Sequence, residues 1–148
     1  MTTMKLVLNK KWGLNYEIKE IIQAGIELFG FEVKSLRGKQ GSLDGGRVII
    51  RGGEAFLLGS FIPAYQPANT PKSYDPQRTR KLLLNKSEME KIIRDEESQN
   101  LTTIPISLYL KGGLVKCEIA LCKKKQKGDK RENIKKEISR RELKNNAR

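Results

Sequence analysis

The run Thr103-Ile104-Pro105-Ile106-Ser107-Leu108-Tyr109-Leu110 alternates apolar and other residues and ends in Lys111-Gly112-Gly113. The chain then returns through Val115, Cys117, Ile119 and Leu121. Alternation with period two is the pattern of a strand with one face buried, and paired glycines between two such runs mark a tight hairpin turn. A second unit repeats the device. Arg47–Arg51 and Ala55–Ile62 flank Gly52-Gly53 and read as another hairpin.

The flanking segments fit a mainly β chain. Lys5–Lys11 opens with Leu6 and Leu8 alternating. Tyr16–Leu28 fits either period, since Ile18, Ile22 and Ile26 also make a helical stripe. Its β-branched content and interior Gly25 favour a strand, with Gly25 as the place for a bulge. Glu32–Arg37 makes one or two helical turns ending near Gly38–Gly41, and Asp44-Gly45-Gly46 is a turn. Pro63–Pro76 is a loop. Asn85 with Glu88 is a helix cap and its capping-box partner, and Met89, Ile92 and Ile93 give that helix an apolar face that fades over Asp95–Asn100. Five or six short strands with one good helix suggest a small closed or partly open barrel of the OB type, whose surface commonly binds nucleic acid.

Charge narrows the partners. The 148 residues hold 30 Lys+Arg against 17 Asp+Glu, a net charge of +13. A polyanion is the leading partner, and an acidic membrane surface the next. The chain has no histidine, which removes Ser-His-Asp and Cys-His chemistry and any imidazole metal site. No cofactor or metal site is read from the sequence, and no carboxylates pair for acid/base work. Cys117 and Cys122 lie five apart on one strand, so they face opposite sides roughly 16 Å apart and cannot form a disulfide. Free thiols suit a cytoplasmic setting. Nothing reads as a signal peptide or membrane span, because Ile21–Phe31 is broken by Gln23, Gly25, Glu27 and Gly30.

The charge is uneven. Residues 123–148 carry twelve cations and four anions, +8 of the +13. This divides the chain into a 1–122 barrel and a 123–148 basic tail, expected to be disordered alone because it has little apolar surface to bury. The tail nonetheless carries helix signals. Asp129 and Glu132 make a capping box, Ile134 and Ile138 share a face, and Glu132–Lys136 and Glu137–Arg141 are i,i+4 pairs. A solvated tail is one reading. A segment that folds on an RNA or ribosome surface accounts for more of the pattern.

Three clusters suit RNA contact. Arg78-Thr79-Arg80-Lys81 precedes a helix start and suits phosphate. Lys34 and Arg37, in Lys34-Ser35-Leu36-Arg37, are i and i+3 on one side of a helical turn. Asn9-Lys10-Lys11-Trp12 joins cations to an aromatic that can stack on a base or serve as packing.

These segments, in this order, resemble SmpB, a family of small proteins that partner transfer-messenger RNA in ribosome rescue. The resemblance is carried by Asn9-Lys10-Lys11, Tyr16-x-Ile18, Ala24-Gly25-Ile26 and Gly30–Arg37. It continues through Gly53–Leu57, Asp75-Pro76-x-Arg78-x-Arg80-Lys81-Leu82-Leu83-Leu84-Asn85, Ser107-Leu108-Tyr109 and Asp129-Lys130-Arg131. It implies a six-stranded OB-like barrel with peripheral helices. It also implies a non-enzymatic protein that binds the tRNA-like domain of transfer-messenger RNA and stands in for an anticodon arm. The tail would reach the decoding centre and empty mRNA channel of a stalled ribosome and fold there as a helix.

By the same resemblance, the RNA face includes Asn9, Lys34, Arg37, Arg80, Lys81, Leu83, Asn85 and Lys116, with Lys10, Lys11, Ser35 and Arg78 in the matching blocks. Gln23 stands where the family usually has Glu, and Lys123-Lys124-Lys125 where it tends to have Lys-Gly-Lys. The ribosome contacts of the tail would begin at Asp129, Lys130 and Arg131 and use Ile134 and Ile138. Other readings are a general OB-type RNA binder, which needs clustered aromatics that this sequence scatters, and a ribosomal protein proper. An enzyme acting on RNA would need acid/base groups that the sequence lacks.

Overall fold

The structure is a computed structural model that describes residues 3–10 and 16–125. Among these residues lie seven strands: β1 (Thr3–Leu8), β2 (Tyr16–Ile26), β3 (Arg47–Arg51), β4 (Glu54–Leu58), β5 (Arg80–Leu83), β6 (Thr102–Lys111) and β7 (Leu114–Lys124). Helix α1 (Gly30–Arg37) follows β2, and α2 (Lys86–Gln99) joins β5 to β6. The strands form one antiparallel sheet in the order β1-β6-β7-β2-β5-β4-β3. The sheet curls so that β3, at one end of the hydrogen-bonded order, lies against β6. At this approach a Cβ on Gly46 would meet Pro105 Cγ at 2.8 Å.

The mainly β architecture is the expected one, with one strand more than the expected six. The addition is β5. Four residues, two of them charged, show no readable period. Pairing with β2 and β4 holds the segment extended.

Both hairpins form at their glycine pairs. Gly52 and Gly53, with φ of 61° and 75°, close β3–β4, and Gly112 and Gly113, with φ of 58° and 81°, close β6–β7. Positive φ at both central positions gives the turn whose twist matches paired strands, and glycine adopts it without steric cost. In β6 the alternation is not the simple one expected. The register with β7 shifts between Pro105 and Ser107. Leu108 joins the main core, whereas Ile104 and Ile106 join a second apolar cluster with Ala120 and Cys122, flanked by Tyr16 and Ile18. A bulge reverses which face the following residues meet, and Pro105, with no N–H to donate, fits beside one.

Other irregularities follow the same logic. A register shift between Lys5 and Val7 buries both Leu6 and Val7 and leaves Leu8 exposed, where the sequence suggested Leu6 and Leu8 on one face. The irregularity in β2 lies between Ile18 and Glu20, away from Gly25. Gly25 instead permits a close approach, since a Cβ there would meet Leu83 Cβ at 3.0 Å. Helix α2 continues through the polar stretch to Gln99. It ends at Asn100 in the left-handed conformation, and Thr103 Oγ1 donates to Glu96 at 2.5 Å. Cys117 and Cys122 are free and lie in the two different apolar clusters. Burial pushes their thiols up to about 12 and about 11, well away from the reactive thiolate form.

Candidate nucleic-acid interface

The Arg78–Asn85 block is divided by its strand. Consecutive strand residues face opposite sides, so Arg80 and Leu82 point inward and Lys81 and Leu83 outward. Arg80 is wholly buried. Its Nε and Nη2 donate to Glu32 Oε2 at 3.0 and 2.7 Å, and its Nη1 donates to Ser60 Oγ at 2.8 Å. Nη2 also reaches the Pro76 carbonyl at 3.0 Å. Glu32, equally buried, accepts from Arg78 Nη2 at 2.6 Å, Arg78 Nε at 3.1 Å and the Phe29 N–H at 2.8 Å. Tyr74 Oη lies 2.8 Å from its carboxylate.

Burial alone would raise the pKa of Glu32. Its bond from Arg78, then those from the Phe29 N–H, Arg80 and Tyr74, outweigh that and hold it below the usual carboxylate range. The Tyr74 hydroxyl is pushed up to about 12 by burial and then by Glu32. The network binds α1, β5 and the proline-rich loop together.

Three expected contacts are therefore corrected. Arg80 spends its donors inside the protein. Ser35 is buried on the inner side of α1. Asn9 is buried, with Nδ2 donating to the Pro105 carbonyl at 2.9 Å beside the β6 bulge.

The outward residues do gather. Register places Lys116 of β7, Gly25 of β2 and Leu83 of β5 side by side, with Tyr109 of β6, itself buried, next to Lys116. Gln23 sits opposite Glu118, and Lys5 opposite Tyr109. Lys81 lies two residues before Leu83 on the same side and pairs with Glu54 at 3.1 Å. Leu83 is 49% exposed, and Asn85 follows it at the α2 cap. With no side chain at Gly25, the Leu83 side chain takes the space that a Cβ there would fill.

Gln23 is held at both ends of its amide. Nε2 donates to Glu118 Oε2 at 3.3 Å, and Oε1 accepts from Tyr109 Oη. A glutamate would set two carboxylates opposite each other here, so the amide suits the Glu118 beside it. Lys5, Gln23, Tyr109, Lys111 and Glu118 line a hollow of about 290 Å³. The sequence reading missed Lys5, Tyr109, Lys111 and Glu118 as members of this face. The alternation of Tyr109 and Lys111 with Leu108 and Leu110 was the available signal.

The remaining cations lie elsewhere. Lys34 and Arg37 are exposed on α1, opposite its buried Glu32, Ser35 and Leu36. Lys10 is exposed after β1, its N–H donating to Asp44 Oδ1 at 3.3 Å. Lys123 and Lys124 are exposed at the end of β7 opposite Glu17 and Tyr16, and Lys125 follows them. Along a strand this places Lys123 roughly 23 Å from Lys116. Lys11, Asp129, Lys130, Arg131, Ile134 and Ile138 lie outside the described residues. Among the described residues no group of three acidic or sulfur ligands is placed to hold a metal, and no helix is long and apolar enough to cross a membrane.

Comparison with known proteins places these features in a wider set. The family model described as SmpB protein matches residues 6–148. An SsrA-binding protein of Mesoplasma florum is 48% identical over 139 residues, 93% of each chain. One from Mycoplasma mycoides is 47% identical over 146 residues, 98% of this chain and 99% of its own. One from Burkholderia vietnamiensis is 43% identical over 133 residues, 90% of each chain. The fold is similar to a chain of the solved structure "tmRNA-SmpB: a journey to the center of the bacterial ribosome". That match has a TM-score of 0.68 and 33% identity, and covers 86% of this chain and 92% of the other.

Proposed function

The chain belongs to the SmpB family, and from that premise we propose that it binds the tRNA-like domain of transfer-messenger RNA and brings it to stalled ribosomes. The observation that carries this reading is the outward sheet face on which Gln23, Lys116, Leu83 and Lys81 stand beside Asn85. Folded RNA is recognised through shape, phosphates and 2′-hydroxyls. A surface with two cations, two side-chain amides and an exposed leucine supplies partners for such contacts.

Lys34 and Arg37 extend the contact from α1, and Lys10 and Lys123–Lys125 supply charge around it. The body stands in for the anticodon arm of a tRNA, and the basic tail enters the decoding centre and empty mRNA channel. The work is binding, with no catalytic step, and it takes place in the cytoplasm with the ribosome. The free, high-pKa thiols are compatible with that setting.

The test is affinity for the tRNA-like RNA in filter binding across a salt series. Lys81→Ala with Lys116→Ala should weaken binding and reduce the salt slope by roughly 0.7–0.9 for each phosphate no longer neutralised. A folded double variant with unchanged affinity and slope removes this face from the interface. RNA recovered with the native protein should be dominated by one species with a tRNA-like end.

A further inference from the structure

Tyr74 is far along the chain from Phe29 and Phe31, yet the fold brings the three rings together. Phe31 meets Tyr74 edge to face at 4.8 Å between ring centroids, and Phe29 lies 5.5 Å from Phe31. The Arg78 guanidinium sits over the Phe29 ring at 4.2 Å. With Pro71 and Asp75 these side chains line a hollow of about 420 Å³, a volume within the roughly 300–1,000 Å³ range of small-ligand sites. None of the residues that line the hollow belongs to the sheet face described above.

We propose that this hollow is a stacking site for one unpaired base of an RNA. The site extends the RNA-binding reading above and rests on it. The first reason is the state of Phe29, which is 50% exposed in a chain where two of the four phenylalanines and one of the four tyrosines converge here. An exposed ring beside a cation is a platform for a base, because every base offers a π-face and guanidinium planes stack as well.

The second reason is pre-organisation. Arg78 is held by two bonds to the buried Glu32, so it is fixed over Phe29 before any ligand arrives. Little rotamer freedom remains to be lost on binding. Tyr74 is likewise held, by Glu32 and by Arg80 Nη2 at 3.0 Å. The third reason is the polar edge. Asp75 is exposed at the rim and offers a carboxylate acceptor to an exocyclic amino group or ring N–H. A purely apolar guest would gain nothing from it. The net charge of +13 concentrates polyanions at the surface.

The role of Arg78 changes accordingly. The sequence suggested a phosphate contact. In the structure two of its nitrogens are engaged by Glu32, and its flat face is the part turned to Phe29.

The test uses the full chain and the four nucleoside 5′-monophosphates, with ribose 5-phosphate and an N-acetylated phenylalanine tripeptide as controls. The ring signals of Phe29, Phe31 and Tyr74 are followed by NMR. At least one nucleotide should shift them saturably, and ribose 5-phosphate should not. Phe29→Ala should weaken that binding by about tenfold, the effect of removing one stacking partner. Phe29→Tyr should retain it.

Shifts equal to those from ribose 5-phosphate, or unchanged in a folded Phe29→Ala, overturn the proposal. So does a response confined to the tripeptide, which would assign the hollow to a protein partner. Affinity of the unaltered chain for tRNA-like RNA is measured alongside. Retained RNA affinity with no nucleotide response refutes the stacking site alone, and loss of both refutes the functional reading as well.

Discussion

Arg80 and Lys81 are adjacent, and strand geometry gives them opposite environments. Arg80 shares a buried carboxylate with Arg78, so replacing it leaves Glu32 with fewer partners in a site closed to water. Breaking a buried ion pair from one side costs about 3–5 kcal/mol. Arg80→Ala should lose stability of that order in urea denaturation. Lys81→Ala removes a half-exposed pair with Glu54 and should stay within about 1 kcal/mol of the unaltered protein. Equal losses from the two would contradict the burial pattern. The same carboxylate predicts an acid response. The pKa of Glu32 is lowered in the fold, so its contribution is present above the ordinary value near 4.5 and is lost as pH falls through the lower folded value. Glu32→Gln should be less stable at pH 7, and its deficit should shrink at pH 3. A deficit constant from pH 7 to pH 3 would show that ionisation of Glu32 adds nothing. None of this was legible in the sequence. An arginine that suits phosphate and an arginine bonded to a glutamate 48 positions away are written with the same letter.

Helix α2 shows what local sequence does reveal. Asn85 Oδ1 accepts the Glu88 N–H at 2.8 Å, and Glu88 Oε1 accepts the Asn85 N–H at 3.0 Å. That reciprocal cap involves residues three apart, so it could be read directly, as could both glycine hairpins. What escaped reading depended on distant strands. Strand β5 exists because β2 and β4 pair with it, and the faces of β6 are exchanged by a bulge that only the register with β7 reveals. Similarly, the surface shared by Gln23, Lys116 and Leu83 is a product of register across β2, β5 and β7. Asn85 has two duties in this arrangement, capping α2 and offering an amide beside the proposed RNA face. Two substitutions separate them. Asn85→Ala removes the cap and should cost about 1 kcal/mol of stability. Asn85→Asp keeps the capping oxygen and loses the amide donors, so it should hold stability while weakening RNA binding. Thermal denaturation and filter binding on the two variants check this. Full RNA affinity in Asn85→Asp would reduce Asn85 to a cap.

The charge is unevenly distributed along the chain, which fits the proposal that recognition and ribosome engagement fall to different parts of it. Residues 123–148 hold +8 of the net +13, while the face with Gln23, Lys81, Leu83 and Lys116 lies in the preceding part. Strand β7 continues to Lys124, so a truncation that tests this division should end at 125 and leave the strand whole. The truncated protein should retain preference for tRNA-like RNA over random RNA, with lower affinity and a shallower salt slope, because fewer phosphates are neutralised. The tail has a separate requirement. Its capping box at Asp129 and its Ile134–Ile138 stripe are sequence features of a helix, and a helix from Lys130 to Asn145 would extend roughly 24 Å at 1.5 Å per residue. Proline inside a helix costs about 3 kcal/mol, whereas an unstructured polycation is indifferent to it. Ile138→Pro leaves every cation in place. It should therefore bind transfer-messenger RNA with nearly unaltered affinity and fail to support peptide tagging on stalled ribosomes in a reconstituted translation system. Normal tagging by this variant would mean that the tail acts through its charge alone, and the proposal that it folds on the ribosome would be withdrawn.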